Sequence, residues 1–362
     1  MRIKVPKKTT LLIGITGLAL LIIAVGIIEN EGVQNPKVRH SNYTLPITER
    51  HFLIGMVPTS RGGPNATFED VLNAYQEVAV LGEVAMLWVS PSGIGEYMRL
   101  NSTRVVEGVR VYGLRPIVTL NFATLVQVNG SGLVYTIDAP PGVPANLSDP
   151  TFRAIWTEEA EAIARAFRPD YFSLGNEVND YFHFHPDDLG AYLTLLDEAY
   201  AAIKQASPST KVMVVFSYNH MNENDQFGLL GLFSNRTDLI GLTTYPWKHF
   251  DKPSDIPPDY YSKIRAFTNK TIALTEIGWV SSDARGSSER EQAEFLVQFL
   301  NLTKGIDLEI VNWLFLHEPQ LNGTAAVISD PAVASISLKN SDGSKKEIYF
   351  LWQDLKELRI TK

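Results

Sequence analysis

Two carboxylates stand at the ends of apolar runs. Glu177 closes YFSLGNE, residues 171 to 177, and Glu276 lies in TIALTEIGW, residues 271 to 279. A carboxylate at such a place packs nothing, so its use is chemical. Two of them brought to one mouth suit general acid and base work: one protonates a leaving oxygen, the other attacks or activates water, the minimum equipment for breaking a glycosidic bond. The structural alternative is a pair of buried carboxylates bridged to an arginine. Asn176 precedes the first carboxylate, and the aromatics Trp88, Tyr181, Phe182, Phe184, Tyr218, Trp247 and Trp279 fall at or just beyond apolar runs, where their faces could stack on sugar rings.

The elements that must carry these residues alternate. Short β-rich runs at 52–57, 84–90, 115–122, 171–177, 211–218, 239–247, 271–279 and 308–318 are separated by segments of helical period, among them 67–82, 186–205 and 287–305, and 347–358 closes the chain. Eight such units predict an α/β fold, a (β/α)8 TIM barrel, with the seventh-to-eighth connection and loop 123–150 as its main elaborations. A doubly wound open sheet is the alternative. It would bring a glycine-rich phosphate turn after its first strand, and VPTSRGGPN has neither that glycine spacing nor a phosphate-loop lysine. Barrel active sites lie at the C-terminal ends of the strands, which places Glu177 and Glu276 at one rim.

Composition sets the surroundings. The 362 residues include 45% hydrophobic and 20% charged, a balance that favours a folded core. A formal net charge of −8 disfavours nucleic acid as a partner, and a neutral or cationic partner fits better. Arg2, Lys4, Lys7 and Lys8 precede an uncharged apolar run from Leu11 to Ile28, long enough to cross a bilayer and oriented to export the rest of the chain. Residues 1–28 therefore read as a signal anchor or signal peptide, 29–50 as a linker and 51–362 as the catalytic domain. Sequons at Asn42, Asn65, Asn101, Asn129, Asn146, Asn235, Asn269, Asn301 and Asn322 exceed the roughly two or three expected by chance, which points to a glycosylated extracellular surface. With no cysteine, no disulfide can reinforce the domain.

The paired motifs SLGNEV and LTEIGW resemble the large superfamily of retaining glycoside hydrolases, with the acid/base on strand four and the nucleophile on strand seven. TEIGWVSS is similar to the nucleophile segment of β-1,3-glucanases, and HEP after strand eight is similar to the WEP of endo-β-1,4-galactanases. The resemblance spans about residues 51 to 358. It implies Glu177 as acid/base and Glu276 as nucleophile. It further implies Asn176 on the sugar 2-hydroxyl, Tyr245 hydrogen-bonded to the nucleophile and keeping it ionised, and His317 in the place of the galactanase tryptophan. The like charge of Glu276 should raise the pKa of Glu177. No arginine ends strand two, where many members carry one, and whether Arg61 after strand one takes its place is left open by the sequence. No metal or other cofactor is expected: the mechanism needs none, and His183, His185, Asp187 and Asp188 read more simply as the start of a helix. The expected substrate is a β-linked polysaccharide or oligosaccharide, degraded by double displacement. Two further readings stay open, a non-catalytic carbohydrate-binding envelope protein and a glucan-remodelling transglycosidase that uses the same two glutamates. The oligomeric state is not legible.

Overall fold

The computed structural model describes residues 41–87, 95, 105–128, 132–320 and 330–361. Eight parallel strands close into a barrel in chain order: Leu53–Val57, Val84–Met86, Arg115–Thr119, Tyr171–Ser173, Lys211–Ser217, Leu239–Thr244, Ile272–Ile277 and Leu308–Phe315, the eighth pairing with the first. The (β/α)8 expectation is met, and the open doubly wound sheet is excluded by closure. Every expected strand is present, though the fourth stops at Ser173, so Asn176 and Glu177 lie in the turn beyond it.

The crossovers bury one apolar face each. Helix Phe68–Leu81 starts at a capping box in which Thr67 and Asp70 satisfy each other's backbone N–H groups, and it turns Ala74, Tyr75, Val78 and Leu81 inward. Helices Leu189–Ala206, Glu289–Leu302 and Glu347–Glu357 follow the same pattern at the expected places. Helix Pro150–Phe167 is an addition to the sequence reading. It is capped by Asp149, whose side chain accepts from the N–H groups of Thr151 and Phe152, and it buries Phe152, Trp156, Ala160 and Ile163. Loop 123–150 contains an antiparallel hairpin, Ala123–Val128 with Gly132–Ile137.

Barrel closure needs tight contacts between neighbouring strands. A Cβ at Gly55 would lie 2.1 Å from the carbonyl oxygen of Val84, so strands one and two approach to a distance only glycine allows. The N-terminal end of the barrel is sealed by polar groups. Buried Arg50 pairs with Glu83 at 2.6 Å, and Lys356 joins the same carboxylate. Tyr171 and Lys211 donate to Glu309 at 2.8 and 2.6 Å across the barrel. Glu49–Arg50 and Arg359–Ile360 form a two-stranded parallel clasp that ties both ends of the domain together.

The expected membrane segment lies outside the described residues. Among the described residues no helix is long and apolar enough to cross a membrane. Six of the nine sequon asparagines are described, Asn42, Asn65, Asn146, Asn235, Asn269 and Asn301, and all six are exposed.

Candidate active site

Glu276 sits one residue from the end of strand seven, 5% exposed. The strand pairs irregularly there, with a register shift between Leu274 and Glu276 against strand six. Such bulges re-aim side chains, and here the shift places Glu276 opposite Thr243. Asn312 of strand eight donates to the carbonyl of Thr275 at 2.9 Å and anchors the bulge.

Glu177 reaches the rim by another route. After Ser173 the chain turns through Gly175, whose φ of 127° suits only glycine and whose Cβ would lie 2.6 Å from a methyl of Val178. Asn121, just beyond strand three, accepts the Asn176 N–H at 2.9 Å, and Tyr192 donates its hydroxyl to the Leu174 carbonyl. Glu177 itself has φ 51° and ψ 41°, a left-handed conformation unusual for a residue with a side chain. Strain of this kind persists where the surroundings over-determine it, commonly at functional sites. Buried Asn179 supplies that constraint: its Oδ1 accepts the Ser217 N–H at 2.7 Å, and its Nδ2 donates to the Ser217 carbonyl at 3.2 Å and to Gln226 at 3.1 Å. The short helix Val178–Phe184 is thereby fastened to strand five.

The two carboxylates share a ring of partners. Thr243 donates to Oε1 of Glu177 at 2.6 Å. Tyr245 donates its hydroxyl to Oε2 of Glu276, and Asn176 Nδ2 donates to Oε1 of Glu276 at 3.4 Å. Asn219 clamps the Tyr245 backbone, accepting its N–H at 2.7 Å and donating to its carbonyl at 3.1 Å. Asn176, Glu177, Tyr245 and Glu276 are thus brought together as the sequence suggested. Thr243, Asn121, Asn179, Asn219 and Asn312 were missed. Thr243, Asn121, Asn179 and Asn219 carried no signal beyond lying near or after a strand end, which a polar surface loop would also give, and Asn312 lies inside strand eight, where one polar residue in an apolar run was the signal.

Burial is the main electrostatic influence. It pushes the Glu177 carboxyl up to about 7, followed by the negative charges of Asp180 and then Glu276. The expected cause was Glu276, but Asp180 stands three residues along the same short helix and acts more strongly. Burial also raises Glu276, while the Tyr245 and Asn176 hydrogen bonds and the charge of Lys248 pull it down. The expected net effect of Tyr245 was ionisation; the low-polarity setting of a nearly enclosed carboxylate outweighs its donors. Asp180 is bound in turn by His220 Nδ1 at 2.7 Å and by Tyr135 of the hairpin at 3.4 Å, and this contact raises the pKa of His220. Tyr135 also meets the ring of Tyr181 edge-on, which docks the hairpin beside Glu177.

The aromatic rim is smaller than the sequence suggested. Trp247 lies beside the site at 9% exposure, and its buried Nε1 has no partner among the described residues. Tyr218 is fully enclosed by Phe227, Tyr260 and Tyr261 and donates its hydroxyl to the Tyr260 carbonyl. Trp279, 1% exposed, packs on Phe295 and donates to Ser287 at 3.0 Å. Both are core residues: the segments after strands five and six fold over Tyr218, and the segment after strand seven folds over Trp279. Tyr181 and Phe182 are buried as well. His317 is 5% exposed, bonded through Nδ1 to the Thr59 carbonyl at 2.9 Å, and burial lowers its pKa. Trp88 lies outside the described residues. Arg61 lies against Gly343. Near the other histidines, Asp188 takes the Tyr181 hydroxyl at 2.5 Å and the His185 ring stacks on Tyr181.

No family model matches the chain, and no curated protein matches it. Its fold is shared with many solved structures. An exo-β-1,4-mannosidase from Opitutaceae bacterium strain TAV5 superposes with a TM-score of 0.63 at 16% identity, over 86% of this chain and 60% of that one. A GH5_18 protein from Bifidobacterium longum subsp. infantis gives 0.65 at 12% identity, over 86% and 80%. A β-D-glucuronidase from Dictyoglomus thermophilum gives 0.55 at 14% identity, over 88% and 52%. The chain therefore spans little more than half the length of two of these three. At such identities the likeness establishes a shared barrel, and the differing sugars named for these proteins leave the substrate of this chain to its own residues.

Proposed function

We propose that the protein is a retaining glycoside hydrolase that cleaves a β-linked oligosaccharide or polysaccharide, with Glu177 as acid/base and Glu276 as nucleophile. The observation that carries this reading is the asymmetry of the pair. Glu276 receives two hydrogen bonds, from Tyr245 and Asn176, as a nucleophile that must be ionised requires. Glu177 receives one from Thr243, stands beside anionic Asp180 and is raised to about 7, as a group that begins the cycle protonated requires. Asn176 Oδ1, buried and without a partner among the described residues, can accept a sugar hydroxyl while Nδ2 faces the nucleophile. The barrel neighbours named as glycosidases agree with this reaction class.

In the first step Glu276 attacks the anomeric carbon as Glu177 protonates the departing oxygen. Water then enters with Glu177 as base, and the configuration is retained. The exported, glycosylated setting belongs to the same proposal, supported by the basic and apolar N-terminus and the six exposed sequon asparagines. The test is reducing-sugar release by the domain from about residue 30 onward from galactan, β-1,3-glucan, mixed-linkage glucan, mannan and xylan, with Glu276→Gln in parallel. Activity that vanishes in the variant, with the first product in the substrate's anomeric configuration by NMR, supports the reading. An inverted product overturns the double displacement, and binding without cleavage overturns the enzyme in favour of a carbohydrate-binding protein.

A further inference from the structure

We propose that the sugar taken at this site carries a carboxylate, making the substrate a uronate-containing β-linked glycan recognised through Lys248 and Trp247. This rests on the glycosidase reading above. The Lys248 ammonium lies 5.5 Å from the ring centre of Tyr245, the residue bonded to Glu276, and 6.0 Å from that of Trp247. Its charge acts on both Glu177 and Glu276, in keeping with its place beside Tyr245. Among the described residues it forms no ion pair, and its side chain is exposed. On the other hand Arg285, whose guanidinium lies 5.9 Å from the Trp247 ring centre, is already paired with Asp330.

The second observation is independent of charge. Trp247 is 9% exposed, and its buried indole N–H has no acceptor among the described residues. Buried donors are rarely left unmet. A carboxylate satisfies both groups at once, with one oxygen for the indole N–H and the negative charge for the ammonium. A neutral hydroxymethyl group would answer the N–H and leave the ammonium without a counter-charge. The opposing factor is repulsion from ionised Glu276, and the Lys248 charge, which acts on that carboxylate, is what offsets it. The net charge of the whole chain favours a neutral or cationic partner. That field is screened within about 10 Å at moderate salt, so at contact distance the local cation decides.

The experiment measures binding apart from cleavage. Full-length Glu177→Gln is titrated by calorimetry with β-linked oligoglucuronate and its cello-oligosaccharide counterpart, and with oligomannuronate and its manno-oligosaccharide counterpart. Each pair differs only in a carboxylate for a hydroxymethyl. At least one acidic chain is expected to bind about tenfold tighter than its neutral partner. Adding Lys248→Met should abolish that preference, Lys248→Arg should restore much of it, and Trp247→Phe should weaken the acidic chain more than the neutral one. Equal or weaker binding of both acidic chains overturns the proposal, as does a preference that survives Lys248→Met. Wild-type cleavage of neutral chains with no acidic preference would remove this inference and leave the glycosidase. Lysine-dependent binding of acidic chains with no cleavage would remove the glycosidase and leave the acidic ligand.

Discussion

Thr243 and Glu276 face each other across strands six and seven, and the hydroxyl of Thr243 donates 2.6 Å to Glu177. One residue thus touches one carboxylate by its side chain and abuts the other by its backbone. Replacing Thr243 by Val keeps the shape and removes the donor, which opposes the elevation of Glu177. The alkaline limb of the pH profile should move upward and kcat/KM should fall about tenfold, with Thr243→Ser restoring both. An unmoved limb would show that the hydrogen bond is incidental.

Asp180 raises Glu177 more strongly than Glu276 does. Asp180→Asn should therefore lower the pKa of Glu177, and activity that requires its protonated form should be lost at lower pH than in the wild type. The acid limb, set by ionisation of Glu276, should move little. Both limbs belong to the coupled pair, so the shift is read from the whole profile of kcat/KM. The same substitution removes the main cause of the raised pKa of His220, whose titration by NMR should move down.

Glu177 also affects stability in a pH-dependent way. Its folded pKa of about 7 lies above the ordinary value of 4.5, so between those values the folded state binds more protons than the unfolded one. Stability should fall as pH rises through this window. Glu177→Gln removes the penalty, so the variant should gain over the wild type by up to about 3 kcal/mol above pH 7 and by little near pH 4. Thermal melts at both pH values check this. A gain independent of pH would mean that the buried charge is not its source.

Asn179 fastens the strained turn at Glu177 to strand five. Asn179→Ala leaves the Ser217 N–H unmet in a buried place, which should cost about 2 kcal/mol by denaturant unfolding. It should also lower kcat more than it raises KM, because Glu177 loses its fixed position. Gly175→Ala, forced to a φ of 127° against Val178, should destabilise by a similar amount. Wild-type melting in either variant would show that the turn is not held by these contacts.

The strand order and the rim position of Glu177 and Glu276 were legible because apolar runs of strand length and helical period repeat eight times, and that pattern is local in the chain. The helix Pro150–Phe167 escaped notice because it follows a long loop that obscured its start, although Asp149-Pro150 is a proper cap. Trp279 and Tyr218 looked like rim aromatics because a sequence gives height along a strand but not what folds over it; Phe295 and Ser287 enclose the one, Tyr260 and Tyr261 the other. The sequence by itself determined the barrel and which two carboxylates share its mouth, since periodicity fixes elements and closure fixes their common end. Only the tertiary structure decided which groups make the two unequal. Asp180, Thr243 and Lys248 act through space, and distances between residues far apart in the chain, such as Glu177 and Thr243, exist only once the barrel has closed.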